Sequence, residues 1–195
     1  MVNVLRFELR AEERRRGRVH DSAFSRRENG GMNTSLRPIA ASDVPRIVEL
    51  NNAAAPAVPI TPAEHMTELI GQADLTFAVV DPADALLGFL IGFRPGSPYS
   101  SENYRYFDER GTDFLYIDRI VVDEDRRGSG VGRRLYTEVF DLARAEGRTE
   151  VTCEVNTDPP NPESLAFHAR LGFERVGEQS TKGGTVTVAL LAATL

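Results

Sequence analysis

Asp123-Glu124-Asp125-Arg126-Arg127-Gly128-Ser129-Gly130-Val131-Gly132-Arg133-Arg134 stands between a β-type run over residues 114–122 and a helical pattern over residues 130–146, where Leu135, Val139 and Leu142 form one apolar stripe. A glycine-rich turn at such a junction lets the backbone come close to a ligand, and the unpaired amides at the helix start point toward it. Phosphate is the usual guest. Two phosphate loops are excluded by the residues themselves. A Walker loop needs Lys and then Ser or Thr after its last glycine, but Gly132 is followed by Arg133-Arg134, and Lys182 is the only lysine of the chain. A dinucleotide loop needs glycine at the sixth position counted from Gly128, which is Arg133. Taken alone, the loop is also compatible with a strand-to-helix turn that uses glycine for geometry only.

Outward from this loop the periodicities alternate. Residues 35–40 read as a short strand. Ser42-Asp43-Val44-Pro45 opens a helix with Val44, Ile47, Val48 and Leu50 at helical spacing. Thr61-Pro62-Ala63-Glu64 has the pattern of a capping box and predicts a second helix to about residue 70. Runs 75–80 and 86–93 are β-type and flank Asp81-Pro82-Ala83-Asp84, the signature of a hairpin. A polar stretch over residues 95–113, with Tyr99, Tyr104, Tyr106 and Phe107, is long for a plain connection and reads as a loop that is functional or disordered. Residues 149–156 form another strand, 162–171 another helix stopped by Gly172, and 173–178 and 185–191 the closing strands. This order describes an α/β protein with a mixed sheet and helices on its faces.

Arg127-Gly128-Ser129-Gly130-Val131-Gly132 matches the Arg/Gln-x-x-Gly-x-Gly/Ala signature of the Gcn5-related N-acetyltransferases, the GNAT family, and follows the strand Tyr116-Ile117-Asp118-Arg119-Ile120-Val121-Val122 as that family requires. Asn161-Pro162-Glu163-Ser164-Leu165-Ala166-Phe167-His168-Ala169-Arg170-Leu171-Gly172-Phe173 resembles a second family element, Asn-x-x-Ala/Ser-x-x-Phe/Leu-Tyr-x-x-x-Gly-Phe. The resemblance covers about residues 34–195. It implies a mostly antiparallel central sheet of about six to seven strands, splayed between the fourth and fifth, with about four flanking helices. It also implies acetyl-CoA as co-substrate and direct attack of an amine on the thioester, the acceptor being a small-molecule amine or a peptide N-terminus.

Carried over residue by residue, the resemblance implies that the backbone of Ile120, Val121 and Val122 holds the pantetheine arm as an added strand would. Arg127, Gly128, Ser129, Gly130, Val131 and Gly132 cradle the pyrophosphate, and the backbone N–H of Ile120 is one candidate to serve the oxyanion. Asn161 either contacts the pantetheine or simply caps its helix. Two carboxylates are candidates for the base. Asp118 lies where many family members have a strand carboxylate, and Glu154 resembles the glutamate of the ribosomal-protein N-terminal acetyltransferases. Either needs a raised pKa to act near neutrality. Strand alternation predicts one face shared by Phe114, Tyr116, Asp118, Ile120 and Val122. His168 departs from the family's tyrosine, the acid that protonates the departing thiolate, so that role is kept, lost or replaced here. Asn51, Asn52, Tyr104 and Tyr106 fall in the regions that line the acceptor cleft in this family. Cys153 alternates with Val151 and Val155 and reads as core, and no histidine has a metal-ligand spacing, so no metal is expected.

Composition bounds the remaining readings. Of 195 residues, 41% are hydrophobic and the net charge is −6, as expected of a globular chain. Residues 1–31 carry eight arginines against five acids, leaving fifteen cations against twenty-four acids for residues 32–195. The first part reads as a basic leader or linker and the second as a single acidic domain, for which nucleic acid is not an expected partner. A nucleic-acid role for the leader is a separate possibility. One cysteine, no apolar run of spanning length and no signal-peptide pattern point to a cytoplasmic protein without a membrane partner. Monomer and homodimer are equally compatible with the sequence. A non-catalytic acyl-CoA-binding sensor or interaction module is the competing function, motivated by His168.

Overall fold

The computed structural model describes residues 33–195; the basic leader read from the sequence lies outside the described residues. Seven strands form one sheet: β1 (Ser35–Pro38), β2 (Leu75–Val80), β3 (Leu86–Phe93), β4 (Phe114–Val122), β5 (Glu150–Asp158), β6 (Glu174–Thr181) and β7 (Val186–Thr194). Their spatial order is β1-β2-β3-β4-β5-β7-β6. All neighbours are antiparallel except β4 and β5, which run parallel. Five α-helices flank it among the described residues: α1 (Val44–Ala53), α2 (Ala63–Gln72), α3 (Glu102–Glu109), α4 (Val131–Ala145) and α5 (Pro162–Ala169). None is long and apolar enough to cross a membrane.

The parallel pair needs a crossover, and α4 supplies it. Its stripe of Val131, Leu135, Tyr136, Val139 and Ala143 is buried against Leu115 and Ile117 of β4 and Val151, Cys153 and Val155 of β5. On β4 the alternate residues Phe114 and Tyr116 turn the other way and meet Tyr104 and Phe107 of α3, with ring centroids 5.5 to 6.3 Å apart.

Two expectations are corrected. The stretch 95–113 is not all loop, since it contains α3, capped by Ser101, whose hydroxyl accepts from the Tyr104 amide at 3.4 Å. Only Tyr104 and Phe107 of that helix are buried, so its apolar signal is a single i, i+3 pair in a polar run. The capping box at Thr61 is absent as well. Its hydroxyl donates to the Pro59 carbonyl at 3.0 Å and accepts from Arg119 at 2.8 Å, and α2 begins behind Pro62 with no side-chain cap. A bond from a guanidinium is stronger than a neutral cap and takes the hydroxyl away from the helix end.

Strand β4 carries a bulge that the period-two reading did not contain. Ile91 pairs with Arg119 and Gly92 with Ile117, which leaves Asp118 as an extra residue. The alternation therefore slips by one. Ile120 and Val122 pack on the same core as Leu115 and Ile117, so the predicted common face of Phe114, Tyr116, Asp118, Ile120 and Val122 does not exist. Gly92 permits the close approach, because a Cβ there would lie 2.6 Å from the Tyr116 carbonyl oxygen.

Candidate active site

The ladder between β4 and β5 runs from Phe114 with Glu150 to Ile117 with Cys153 and then stops. Both strands continue: β4 stays paired to β3 through Val122, and β5 stays paired to β7 through Asp158. The sheet is thus split from Asp118 and Glu154 onward, one step past the last pair, with the β5-facing edge of Ile120, Val121 and Val122 left without a strand partner. A cavity of about 410 Å³ occupies this split.

Both predicted carboxylates reach it. Asp118 accepts the Tyr99 hydroxyl at 2.6 Å and the Arg119 Nε at 3.2 Å. Glu154, half-buried across the split, accepts the Tyr116 hydroxyl at 2.8 Å. Burial and the nearby Asp118 charge push its carboxyl well above the usual range, to about 8, against the opposing pull of the Tyr116 bond. Burial and the same carboxylates drive the phenols of Tyr99 and Tyr116 upward, so both stay protonated as donors. Burial also pushes the Cys153 thiol up, which makes it a poor nucleophile.

His168 lies at the cavity wall but is buried, with both ring nitrogens occupied. Nδ1 is 2.8 Å from the Ser164 carbonyl, an acceptor only, so Nδ1 carries the hydrogen. Nε2 is then bare and accepts the Tyr136 hydroxyl at 2.7 Å. Burial holds the imidazole below its ordinary pKa, hence neutral. Tyr136, from α4, is the group that the sequence reading missed. Its position on the core stripe of that helix gave no sign that its hydroxyl reaches the same cavity wall.

The remaining predicted residues divide. Asn161 accepts the Ser164 amide at 3.2 Å as the cap of α5 and also lines the cavity. The glycine loop is exposed from Arg127 to Gly130. Gly128 and Gly130 have φ of 78° and 92°, which only glycine adopts without strain, and Gly130 is the N-cap of α4. The next amides, of Val131, Gly132 and Arg133, have no acceptor within the helix. The Val131 side chain itself is core. Gly132 has a packing reason, since a Cβ would lie 3.1 Å from Phe167 Cζ of α5.

The acceptor-side expectations do not line the cavity. Tyr104 is buried, its hydroxyl donating to the Arg94 carbonyl at 2.8 Å and accepting from the Ser97 amide at 2.9 Å. Tyr106 donates to the Val176 carbonyl at 3.1 Å on the far side of α3. Asn51 and Asn52 instead fasten the α1–α2 connection: Asn51 Nδ2 donates to the Pro59 carbonyl at 2.8 Å and Asn52 Oδ1 accepts the Thr61 amide at 2.8 Å. Tyr99, Ser100, Ser101, Glu102 and Asn103 are the members of the polar stretch that line the cavity. No group of three or more His, Cys, Asp or Glu is placed to hold a metal among the described residues.

The family model of the acetyltransferase (GNAT) family matches residues 44–173. The chain is 26% identical over 160 residues to the L-methionine sulfoximine/L-methionine sulfone acetyltransferase of Pseudomonas paraeruginosa, covering 78% of this chain and 87% of that one. Two mycobacterial proteins are each 43% identical over 61 residues, 31% of this chain: the uncharacterized protein ML0378 of Mycobacterium leprae and the N-alpha-acetyltransferase RimI of Mycobacterium tuberculosis. The chain spans 16% and 35% of their lengths. Among solved structures, Ard1 of Thermoplasma volcanium superposes with a TM-score of 0.66 at 19% identity, over 83% of this chain and 97% of that one. YncA of Salmonella typhimurium, solved with acetyl-CoA, gives 0.61 at 18% identity over 84% and 94%. At these identities the two superpositions establish the fold.

Proposed function

Because the chain belongs to the acetyltransferase (GNAT) family, we propose that it transfers the acetyl group of acetyl-CoA to a primary amine at the split between β4 and β5, within a domain spanning residues 32–195. The observation that carries this reading is the pair of carboxylates one step beyond the last β4–β5 rung, one of them shifted into the range of a base for neutral pH.

The residues present fit the donor. The free amides at the start of α4 and the left-handed Gly128 and Gly130 form a concave backbone surface suited to a pyrophosphate. The open edge of β4 offers backbone hydrogen bonds to an extended pantetheine, of the kind a missing strand would take. Acetyl-CoA supplies the thioester.

Glu154 takes a proton from the acceptor ammonium. The freed nitrogen lone pair forms the C–N bond, and the carbonyl π pair moves to oxygen, where a β4 backbone N–H such as that of Ile120 meets the charge. The nitrogen, which carries one hydrogen too many after attack, gives it up to solvent, and collapse re-forms the carbonyl and breaks the C–S bond with its electron pair going to sulfur. The sulfur then takes the hydrogen of the Tyr136 hydroxyl, which swings from His168 Nε2 to deliver it while Nε2 keeps the hydroxyl in position, so the acid role is replaced rather than kept by His168. Tyr136 is the catalytic acid in this scheme and His168 a positioning residue. Relatives whose names specify an amino acid analogue and an N-terminal α-amine support the two acceptor classes read from the sequence.

The test is incubation with acetyl-CoA and a panel of primary amines, following release of free thiol. Amine-dependent release that falls sharply in Glu154→Gln is expected. Tight acetyl-CoA binding without release for any amine would instead favour a sensor module.

A further inference from the structure

Arg119, the residue after the bulge, spends only part of its hydrogen-bonding capacity on the protein. Its Nε donates to Asp118 Oδ2 at 3.2 Å, and Nη1 donates to Asn51 Oδ1 at 2.7 Å and Thr61 Oγ1 at 2.8 Å. Those three bonds use Nε–H and both hydrogens of Nη1. The two hydrogens of Nη2 have no acceptor among the described residues. The side chain is only 10% exposed, and the residue lines the cavity.

Nη2 is also not sealed off. Among the described residues, the one buried side-chain nitrogen or oxygen without a partner is Thr152 Oγ1. An unpaired guanidinium nitrogen that is absent from that class keeps access to solvent, and the cavity is the space beside it. The mounting is stiff, because Asn51 is itself buried and tied to the Pro59 carbonyl, and Thr61 is tied to the same carbonyl. A guanidinium held this way, with one nitrogen free, presents a fixed end-on donor pair to an anion.

Glu154 stands across the split from Arg119, with Asp118 beside Arg119 on β4; Glu102 and Lys182 also line the cavity, and Ala57, Val58, Val186 and Val188 give apolar wall. One cavity thus offers a fixed guanidinium, carboxylates and an apolar surface. Resting on the reading that an amine is acetylated here, we propose that the acceptor is a free amino acid in its zwitterionic form. Its carboxylate is held by Nη2 of Arg119, its ammonium faces Glu154, and its apolar side chain lies on the valine wall. A peptide N-terminus carries a neutral amide where that carboxylate would stand, and leaves Nη2 unpaired.

The experiment compares initial rates of thiol release by the full chain with L-alanine, L-valine, L-leucine and L-methionine, with their amides, and with leucyl-glycinamide. A hydrogen bond to a charged group contributes enough that at least one free acid is expected to exceed its amide by about tenfold or more in kcat/KM. Arg119→Gln should bring that ratio close to one through KM of the acid, with KM for acetyl-CoA unchanged; Arg119→Lys should retain part of it. Because loss of Arg119 could disturb Asn51 and Thr61, the ratio in the unaltered protein is itself decisive. Amides or the peptide used as well as the acids would overturn the proposal, as would an acid preference that survives in a folded Arg119→Gln. Acetylation confined to amines outside these sets would overturn it too. No thiol release with any amine would defeat the acetyltransferase reading instead.

Discussion

The two halves of the split are built on different principles. On the donor side, residues 120 to 132 form one continuous stretch, and what it offers is backbone: a strand edge, two left-handed glycines and the start of a helix. On the acceptor side, Asn51, Thr61, Tyr99, Arg119 and Glu154 come from four separate parts of the chain and offer side chains, each fixed by another. A backbone site tolerates many side chains and needs particular φ values. A side-chain site tolerates little, because each polar group set aside in a half-buried wall costs its full desolvation when a partner is removed.

The strongest way to break this contrast is at Glu154. Glu154→Gln keeps the shape and the Tyr116 contact but cannot take a proton, and a loss of about 10² to 10⁴ in kcat is expected. In the unaltered protein the rate should climb with pH and level off near 8, where the raised carboxyl becomes ionised, while the variant should lack that rise. The same shift sets a stability trend. The folded carboxyl holds its proton above the unfolded range of about 4.3, so the folded state binds more protons and its stability falls as pH rises from there through 8. Thermal melts of Glu154→Gln should therefore gain on the unaltered protein across that window. An advantage that does not change with pH would remove the assigned shift.

Next in size is the Tyr136–His168 pair. Tyr136→Phe removes the O–H and should lower kcat by about 10², the lower end for an acid whose leaving group is already a good one. His168→Gln leaves the hydroxyl and removes only its orientation, so a smaller fall is expected. Equal or larger loss in His168→Gln with a silent Tyr136→Phe would return the acid to His168.

These two sites also measure what the sequence could tell. The loop glycines were legible because positive φ and a helix start are local demands, written in adjacent residues. Asp118 and Glu154 could be singled out as strand carboxylates that the family resemblance implies, although the bulge at Asp118 could not. A bulge is decided by the partner strand, here by Gly92 permitting a close approach, and no pattern within β4 records it. Tyr136 was invisible for a similar reason. Its helix spacing says core, which is true of the ring, and only the arrival of α5 brings His168 to its hydroxyl. Tyr104 and Tyr106 misled because α3 turns their rings toward the sheet and β6, while Tyr99 ahead of the helix reaches the carboxylate.

On the donor side the effects should be smaller and of another kind. Gly130→Ala places a Cβ at φ of 92°, a strain of roughly 1 to 2 kcal/mol for an ordinary residue. Space is not the obstacle, since nothing lies within 4 Å of that Cβ. The expected outcome is a modest drop in melting temperature with a raised KM for acetyl-CoA and an unchanged acid-to-amide preference. A change in acceptor preference would mean that the two halves are not separable as drawn.

Asn161 tests the contrast at its boundary, because it belongs to both descriptions. Its side-chain oxygen accepts the Ser164 amide and Pro162 follows at the first helical position, which is a complete account of an N-cap. It also lines the cavity. Asn161→Ala should cost about 1 kcal/mol of stability through the lost cap, and Asn161→Asp should retain most of that bond. If the residue is a cap and nothing else, KM for acetyl-CoA stays level in both variants. If its amide nitrogen, which no protein group engages among the described residues, is a donor to the pantetheine, Asn161→Asp keeps the helix yet raises KM, since the aspartate has lost the N–H and gained a charge. Thermal melts and KM read together on that single variant separate a side chain that holds up the wall from one that belongs to the site.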